Sequence, residues 1–222
     1  MDSAKKNAAE KALGFVKDGM VVGLGSGSTA AIFIALLGAL AKRKRWKLSG
    51  VPTSEESRAI AVKAGIRVIG LEDAARIDVA VDGADEVDAE LNLIKGGGGA
   101  LTREKIVDYA AKKLIVVVDG GKMRKKLSGW VPIEVVPFAM PQVARALRGM
   151  GAKVDARRKG TGLFVTDNGN HILDARFGMI PNPARLELEL RAVPGIVENG
   201  IFSRKRPVVV IGGKGGARIL KF

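Results

Sequence analysis

The sequence predicts an α/β protein: a Rossmann-like parallel sheet core with an inserted ferredoxin-like α+β small domain. Three observations predict it. Residues 77–81, 114–118 and 207–212 are aliphatic almost throughout and alternate with helical patterns, as strands buried on both faces of a parallel sheet do. After Trp130 the pattern changes to shorter strands, a DNGN turn and two helices in the order β-α-β-β-α-β, the signature of a small ferredoxin-like unit. The closing run PVVVIG, 207–212, returns to the first pattern, so the small domain reads as an insertion before the last core strand.

Taken in order, residues 4–17 set Ala, Leu, Phe and Val against Lys and Glu at helical spacing and read as a first helix, ended by Asp18-Gly19. Residues 20–23 read as a strand, Gly25 to Thr29 as a turn, and 30–41 as a buried helix. A strand near 48–52 leads to Thr53-Ser54-Glu55, a helix cap, and Gly65 stops the helix that follows. Strands are expected at 67–70 and 77–81, a short helix or turn at 71–75, a helix at 101–113 and a strand at 114–118. Beyond Trp130, strands are expected at 131–136, 152–157 and 196–202, and helices at 141–150 and 183–192. A hairpin is expected from 163–166 and 171–175, turning at Asp167-Asn168-Gly169-Asn170. The predicted domains are therefore 1–130 plus 203–222 for the core and 131–202 for the insertion.

Composition bounds the chemistry. The 222 residues include no cysteine and a single histidine, His171, which rules out a thiolate nucleophile, a Cys-based metal site and a His cluster. His171 lies in the expected hairpin and reads as structural. The N-terminal stretch lacks the apolar core of a signal peptide. The longest apolar run, 30–41, is 12 residues, short of the roughly 20 that a membrane span needs. A soluble, cytoplasmic protein with no membrane partner is expected. The formal net charge of +14 points to anionic partners, whether nucleic acid, acidic lipid or phosphorylated small molecules. The basic run 42–47 reads as a solvated surface cluster at a helix C-terminus, ahead of a nucleic-acid patch. Trp46 and Trp130 lack the aromatic neighbours of a base-stacking platform.

The chemistry concentrates in 81–105, VDGADEVDAELNLIKGGGGALTREK. Asp82 and Asp85 close a strand, Lys95 precedes four consecutive glycines, Gly96 to Gly99, and Glu104 stands in the opening of a helix, near its second position. Carboxylates, a lysine and a nest of backbone amides suit proton transfer beside a developing oxyanion. A second candidate is GLGSGSTA, Gly23 to Ala30, in which a strand ends, glycines turn the chain and a helix opens with Ser28 and Thr29. Such a terminus holds phosphate through N–H groups and the dipole. It is neither a Walker A loop, since no lysine precedes Ser28, nor GxGxxG. A third, Asp119-Gly120-Gly121-Lys122, follows the 114–118 strand and adds a glycine-flanked cation to the same rim.

In order and spacing, GSGSTA (25–30), DGAD (82–85), IKGGGGALTREKI (94–106), DGGKM (119–123), VPIEVVPFA (131–139), VTDNGNHILD (165–174) and PGIVENGIF (194–202) resemble the A-type ribose-5-phosphate isomerases. The resemblance runs from about Lys5 to Gly212. It implies an aldose–ketose isomerase of the non-oxidative pentose phosphate pathway that interconverts ribose 5-phosphate and ribulose 5-phosphate through an enediol(ate), with no metal and no cofactor. It implies Glu104 as the base between C1 and C2, and Asp82, with Asp85 beside it, as the acid/base for the sugar oxygens. Lys95 and the amides of Gly96, Gly97 and Gly98 would stabilise the enediolate oxygen, with Gly83 and Ala84 completing the substrate-binding stretch. Ser26, Gly27, Ser28 and Thr29 would hold the phosphate, with Lys122 and Lys5. The resemblance also implies a homodimer or homotetramer in which the small domain is lid and oligomerisation element. Two positions depart from the family pattern: Ser26 stands where Thr is common, and Gly99 where Ala is common, which is expected only to loosen the turn.

Other readings are a sugar-phosphate-sensing regulatory protein of related fold, a nucleic-acid-binding protein, and a more distant CoA-transferase. A sensor would need a helix-turn-helix, for which the chain has no spare residues, and would have no need of Glu104. A specific nucleic-acid partner is not expected.

Overall fold

The computed structural model describes residues 3–220; residues 1, 2, 221 and 222, which the sequence assigns to the core, lie outside the described residues. In chain order, helix α1 (Ser3–Ala12) is followed by strand β1 (Val21–Leu24), α2 (Ser28–Lys44), β2 (Ser49–Pro52), α3 (Glu55–Lys63), β3 (Arg67–Val68) and β4 (Ile77–Asp82). Two short strands, β5 (Glu86–Val87) and β6 (Leu93–Ile94), precede α4 (Leu101–Ala110) and β7 (Ala111–Asp119). Then come β8 (Val131–Val135), α5 (Met140–Gly149), β9 (Lys153–Ala156), β10 (Arg158–Lys159), β11 (Gly162–Leu163) and β12 (His171–Arg176). The chain closes with α6 (Pro183–Arg191), β13 (Ile196–Asn199), β14 (Ile201–Phe202), β15 (Val208–Gly213) and β16 (Gly216–Leu220).

The chain divides into two compact units, one built from 3–84, 103–122 and 205–220, the other from 85–102 and 123–204. The first holds a seven-stranded sheet in the order β16-β15-β7-β4-β1-β2-β3. Six strands are parallel, and only β16 runs antiparallel, against β15. Val22, Leu24, Val79, Val81, Ile115, Val117 and Val210 pack with Ala8, Phe33, Ile34 and Leu37 in one core cluster. Being buried on both faces makes these strands aliphatic runs rather than alternating ones. As expected, 208–211 rejoin this sheet: Val208 pairs with Ile115 and Ile211 with Val118. The antiparallel β16 was not foreseen, because GARIL is a short run, exposed or half-exposed throughout, without the aliphatic stretch of the buried strands.

The second unit holds the ferredoxin-like sheet β13-β8-β12-β9, all antiparallel, with Val143 and Leu147 of α5 and Leu190 of α6 packed against Val131, Ile133, Val135 and Leu173. Three expectations change here. The predicted core segment 85–130 does not stay whole: 85–102 and 123–130, together with 203–204, group with this unit, because β5 and β6 form a three-stranded sheet with β14. The single strand expected at 196–202 is two, broken at Gly200, whose N–H donates to Pro132 O at 2.7 Å and whose carbonyl accepts from Lys95 N–H at 2.9 Å. A Cβ at Gly200 would lie 2.4 Å from the Lys95 carbonyl oxygen, so only glycine permits the change of sheet. The hairpin expected from 163–166 and 171–175 is not formed: β11 pairs with β10, while β12 lies between β8 and β9. The DNGN sequence still makes a tight turn, with Gly169 N–H donating to Thr166 O at 2.9 Å.

Candidate active site

In the first unit the C-terminal ends of β1, β4 and β7 share one rim of the sheet, the edge at which open α/β sheets bind ligands. The chain leaving β1 is tied to β4 residue by residue. Gly25 N–H donates to Val81 O at 3.0 Å and Ser26 N–H to Asp82 Oδ1 at 3.0 Å, while Gly83 N–H reaches the same Oδ1 at 2.7 Å. A Cβ at Gly25 would lie 2.2 Å from that oxygen, so the approach requires glycine. Gly27, with φ +88°, is the N-cap of α2, which opens at Ser28. The first N–H groups of a helix have no partner within it, and those of α2 open beside exposed Gly27 and Ser28 and buried Thr29. Ser26 itself is more occupied than its sequence position implied. Its hydroxyl lies 2.8 Å from Thr53 Oγ1 and donates to Ser54 Oγ at 2.7 Å, and Ser54 with Ser57 forms a capping box on α3. This hydroxyl chain was not read from the sequence, although the TSEES cap at 53–57 was its signal.

Glu104 is the fourth residue of α4, not near the second as expected, and is only 5% exposed. Val107, one turn further along, lies so close to β1 that a Cβ at Gly23 would be 2.6 Å from its Cγ1 and 2.8 Å from Ala80 Cβ. Residues three apart on a helix share a face, so Glu104 also faces the sheet. Because α4 connects parallel β4 and β7, it runs against them, and Glu104 lies on the rim side of Val107, toward Gly25 and Asp82. Asp82 is fully buried, and Gly83 and Ala84 are half-buried beside it.

Lys122 ends a single helical turn, Gly120–Lys122, that leaves β7, with Gly121 N–H donating to Asp119 Oδ1 at 2.8 Å. Lys5 reaches the same rim from α1: a Cβ at Gly212 would lie 1.8 Å from Ala4 O, and Gly212 pairs with Asp119. Both lysines are half-buried. The first unit thus brings Ser26 to Thr29, Asp82 to Ala84, Glu104, Lys122 and Lys5 to one edge.

In the second unit Asp85, Lys95 and the glycines come together. Asp85 N–H donates to Ile94 O at 2.8 Å, and Asp85 Oδ2 accepts from Gly97 N–H at 2.8 Å. Gly96 and Gly99 have φ of +95° and +89°, and Gly99 N–H closes the turn on Gly96 O at 2.9 Å. Lys95 is 1% exposed, its ammonium 5.4 Å from the centre of the Phe202 ring. Gly99, expected only to loosen the turn, is instead closely fitted: a Cβ there would lie 2.4 Å from Phe164 Cζ on a backbone of positive φ. Asp88 is taken up by its own loop, accepting from Glu90 N–H, Asn92 N–H and Asn92 Nδ2 at 2.9 Å each. A residue the sequence reading missed is Glu134. It is fully buried and accepts from Thr102 Oγ1 at 2.5 Å, Thr166 Oγ1 and Asn170 Nδ2 at 2.9 Å, and Asn168 Nδ2 at 3.1 Å. Thr102 belongs to the first turn of α4, two residues before Glu104.

Elsewhere, His171 Nδ1 lies 3.0 Å from Phe164 O, a structural contact. The basic run 42–47 lies at the far end of α2 from the 25–29 turn, with Lys44 over Trp46 at 5.3 Å. Among the described residues no group of three or more His, Asp and Glu is arranged to hold a metal ion, and no helix is long and apolar enough to cross a membrane.

Residues 49–216 match the family model described as ribose 5-phosphate isomerase A (phosphoriboisomerase A). A relative from Thermococcus kodakarensis, named ribose-5-phosphate isomerase A, is 47% identical over 98% of this chain and 97% of its own length. The solved structure of ribose 5-phosphate isomerase A from Methanocaldococcus jannaschii superposes with a TM-score of 0.95 at 44% identity, covering 99% of this chain and 98% of that one. A second solved structure, of a D-ribose-5-phosphate isomerase in complex with phospho-erythronic acid, also gives 0.95, at 45% identity and the same coverage.

Proposed function

The chain belongs to the ribose 5-phosphate isomerase A family, and on that premise we propose that it interconverts ribose 5-phosphate and ribulose 5-phosphate through an enediolate, with Glu104 as the base. The observation that carries this reading is the placement of Glu104: a carboxylate 5% exposed, on the sheet-facing side of α4, toward the rim that holds Asp82 and the open N-terminus of α2. An aldose and its ketose differ by a hydrogen on C1 or C2, so one base on one face serves both transfers. Glu104 takes the proton from C2 of ribose 5-phosphate and returns it to C1 of the enediolate. Asp82, with Asp85, moves protons among the sugar oxygens and opens the ring. The amides of α2 at Gly27, Ser28 and Thr29 hold the phosphate with the dipole behind them, and Lys122 and Lys5 add charge. Ser26 contributes chiefly by shaping that turn, since its N–H and hydroxyl are engaged. In the second unit, Lys95 and the Gly96 to Gly98 amides supply the charge and donors that an enediolate oxygen needs.

The reaction needs no metal and no cofactor in this scheme. The second unit also serves as subunit contact in the homodimer or homotetramer of this scheme. Phosphorylated sugars are charged and stay where they are made, which fits a cytoplasmic enzyme of the non-oxidative pentose phosphate pathway. The direct test is to incubate the protein with ribose 5-phosphate, with and without EDTA, and measure ketopentose. Formation that survives EDTA supports the scheme. Activity abolished by EDTA and restored by a divalent ion overturns its metal-free part, and no ketopentose under either condition overturns the whole.

A further inference from the structure

The glycine turn does not stand alone. Arg157, which follows β9, reaches back to it. Its Nη1 donates to Gly96 O at 2.9 Å and to Gly97 O at 3.1 Å. The rest of the guanidinium is held by Asp174 on β12, with Nε donating to Oδ2 at 2.9 Å and Nη2 to Oδ1. The base of this arm is fixed too: Arg157 N–H donates to Ile172 O and its carbonyl accepts from Phe164 N–H, both at 2.9 Å. Phe164 in turn abuts Gly99.

In a planar trans peptide the C=O and the following N–H point in opposite directions. Pinning the carbonyls of Gly96 and Gly97 to one guanidinium therefore aims the N–H groups of Gly97 and Gly98 to the opposite side, both the same way. The Gly97 N–H confirms the direction by meeting a carboxylate, Asp85 Oδ2, at 2.8 Å. Two adjacent amides aimed together favour negative charge on that side: Gly97 meets the Asp85 carboxylate there, and the Gly98 N–H is aimed the same way. The cation at their carbonyl ends polarises both peptides and makes those N–H groups better donors.

We propose that Arg157, oriented by Asp174, is a positioning residue that sets the Gly98 amide as an oxyanion donor of the isomerisation, while the Gly97 amide holds the Asp85 carboxylate. The inference rests on the isomerase reading above. It assigns a reaction role to an ion pair that would otherwise count only as glue within the small sheet. Lysine at 157 keeps the charge and most of the stem but lacks the planar fork that holds two carbonyls and a carboxylate at once.

The test compares wild type with Arg157→Lys, Arg157→Met and Asp174→Asn, each checked for folding by circular dichroism and melting. Two ligands separate the roles: a phosphorylated four-carbon hydroxamate, whose planar anionic head mimics an enediolate, and inorganic phosphate. Removing one oxyanion donor costs ~10²–10³ in kcat; amides misaimed rather than removed should cost about tenfold or more. KM for ribose 5-phosphate should stay within about threefold, because uniform binding is untouched. Hydroxamate affinity should fall in parallel with kcat while phosphate affinity holds. If Arg157→Met does not fold, Arg157→Lys and Asp174→Asn decide the matter. A folded Arg157→Lys with wild-type kcat, or equal losses of hydroxamate and phosphate affinity, overturns the proposal while leaving the isomerase reading intact. A wild-type protein that makes no ketopentose overturns both.

Discussion

The backbone N–H of Ser26 donates to Oδ1 of Asp82 across 3.0 Å, tying the turn after β1 to the end of β4. The same oxygen accepts from Gly83 N–H at 2.7 Å, so one carboxylate oxygen holds two loops. Asparagine keeps an acceptor there and alters only the charge; alanine removes the acceptor. Asp82→Asn should therefore lower kcat by about tenfold or more with KM nearly unchanged. Asp82→Ala should raise KM as well, since the two half-buried N–H groups of Ser26 and Gly83 lose their partner, at up to about 1–3 kcal/mol each for a fully buried group. Steady-state kinetics of the two variants side by side checks this, and equal KM values would break the link.

Glu104→Gln preserves shape and removes the proposed base. General-base catalysis contributes roughly 10²–10⁴-fold, and kcat should fall by about that factor while KM holds. Exchange of the C2 proton of ribose 5-phosphate with heavy water is the second measurement. Exchange at the wild-type rate in the Gln variant would move the assignment to Asp82 or Asp85.

Ser28→Ala combined with Thr29→Ala should raise KM for ribose 5-phosphate several-fold, and ribose without phosphate should be a very poor substrate, because remote binding energy positions the reacting carbons. A double variant with wild-type KM would place the phosphate elsewhere.

Gly25→Ala should destabilise the fold by about 1–3 kcal/mol through overpacking, since the new Cβ would lie 2.2 Å from Asp82 Oδ1 and 2.5 Å from its Cα. Gly27→Ala, with nothing within 4 Å but φ +88°, tests backbone strain alone. Melting temperatures of the pair should show the larger loss at Gly25; the reverse order would refute the crowding argument.

Lys205 donates to the carbonyls of Tyr109 and Ala111, and burial holds its ammonium below the ordinary 10.5, partly offset by Asp108. Between the lowered folded value and 10.5 the unfolded chain binds more protons, so this group makes stability rise with pH across that window. Lys205→Met should flatten the slope of melting temperature against pH just below 10.5. An unchanged slope would show that Lys205 does not set it.

The sequence by itself determined the order and type of nearly every long element, because burial on both faces leaves aliphatic runs at 77–81, 114–118 and 207–212 that fit few alternatives. It also singled out the candidate site, since Asp82, Lys95, four glycines and Glu104 fall within 23 residues. Tertiary structure alone decided which unit each segment joins. Strands of two residues such as β5 and β6 carry no period to read, and Gly200 switches sheets because of a carbonyl 2.4 Å from its missing Cβ, a neighbour more than a hundred positions away in sequence. The supports of the glycine turn were hidden for the same reason. Arg157 touches Gly96 from 61 positions along the chain, and Glu134 gathers Thr102, Thr166, Asn168 and Asn170 from two directions. Local pattern reports which face of a helix or strand is apolar; it does not report which distant donor meets a buried acceptor, and that pairing is fixed only when the chain closes around it.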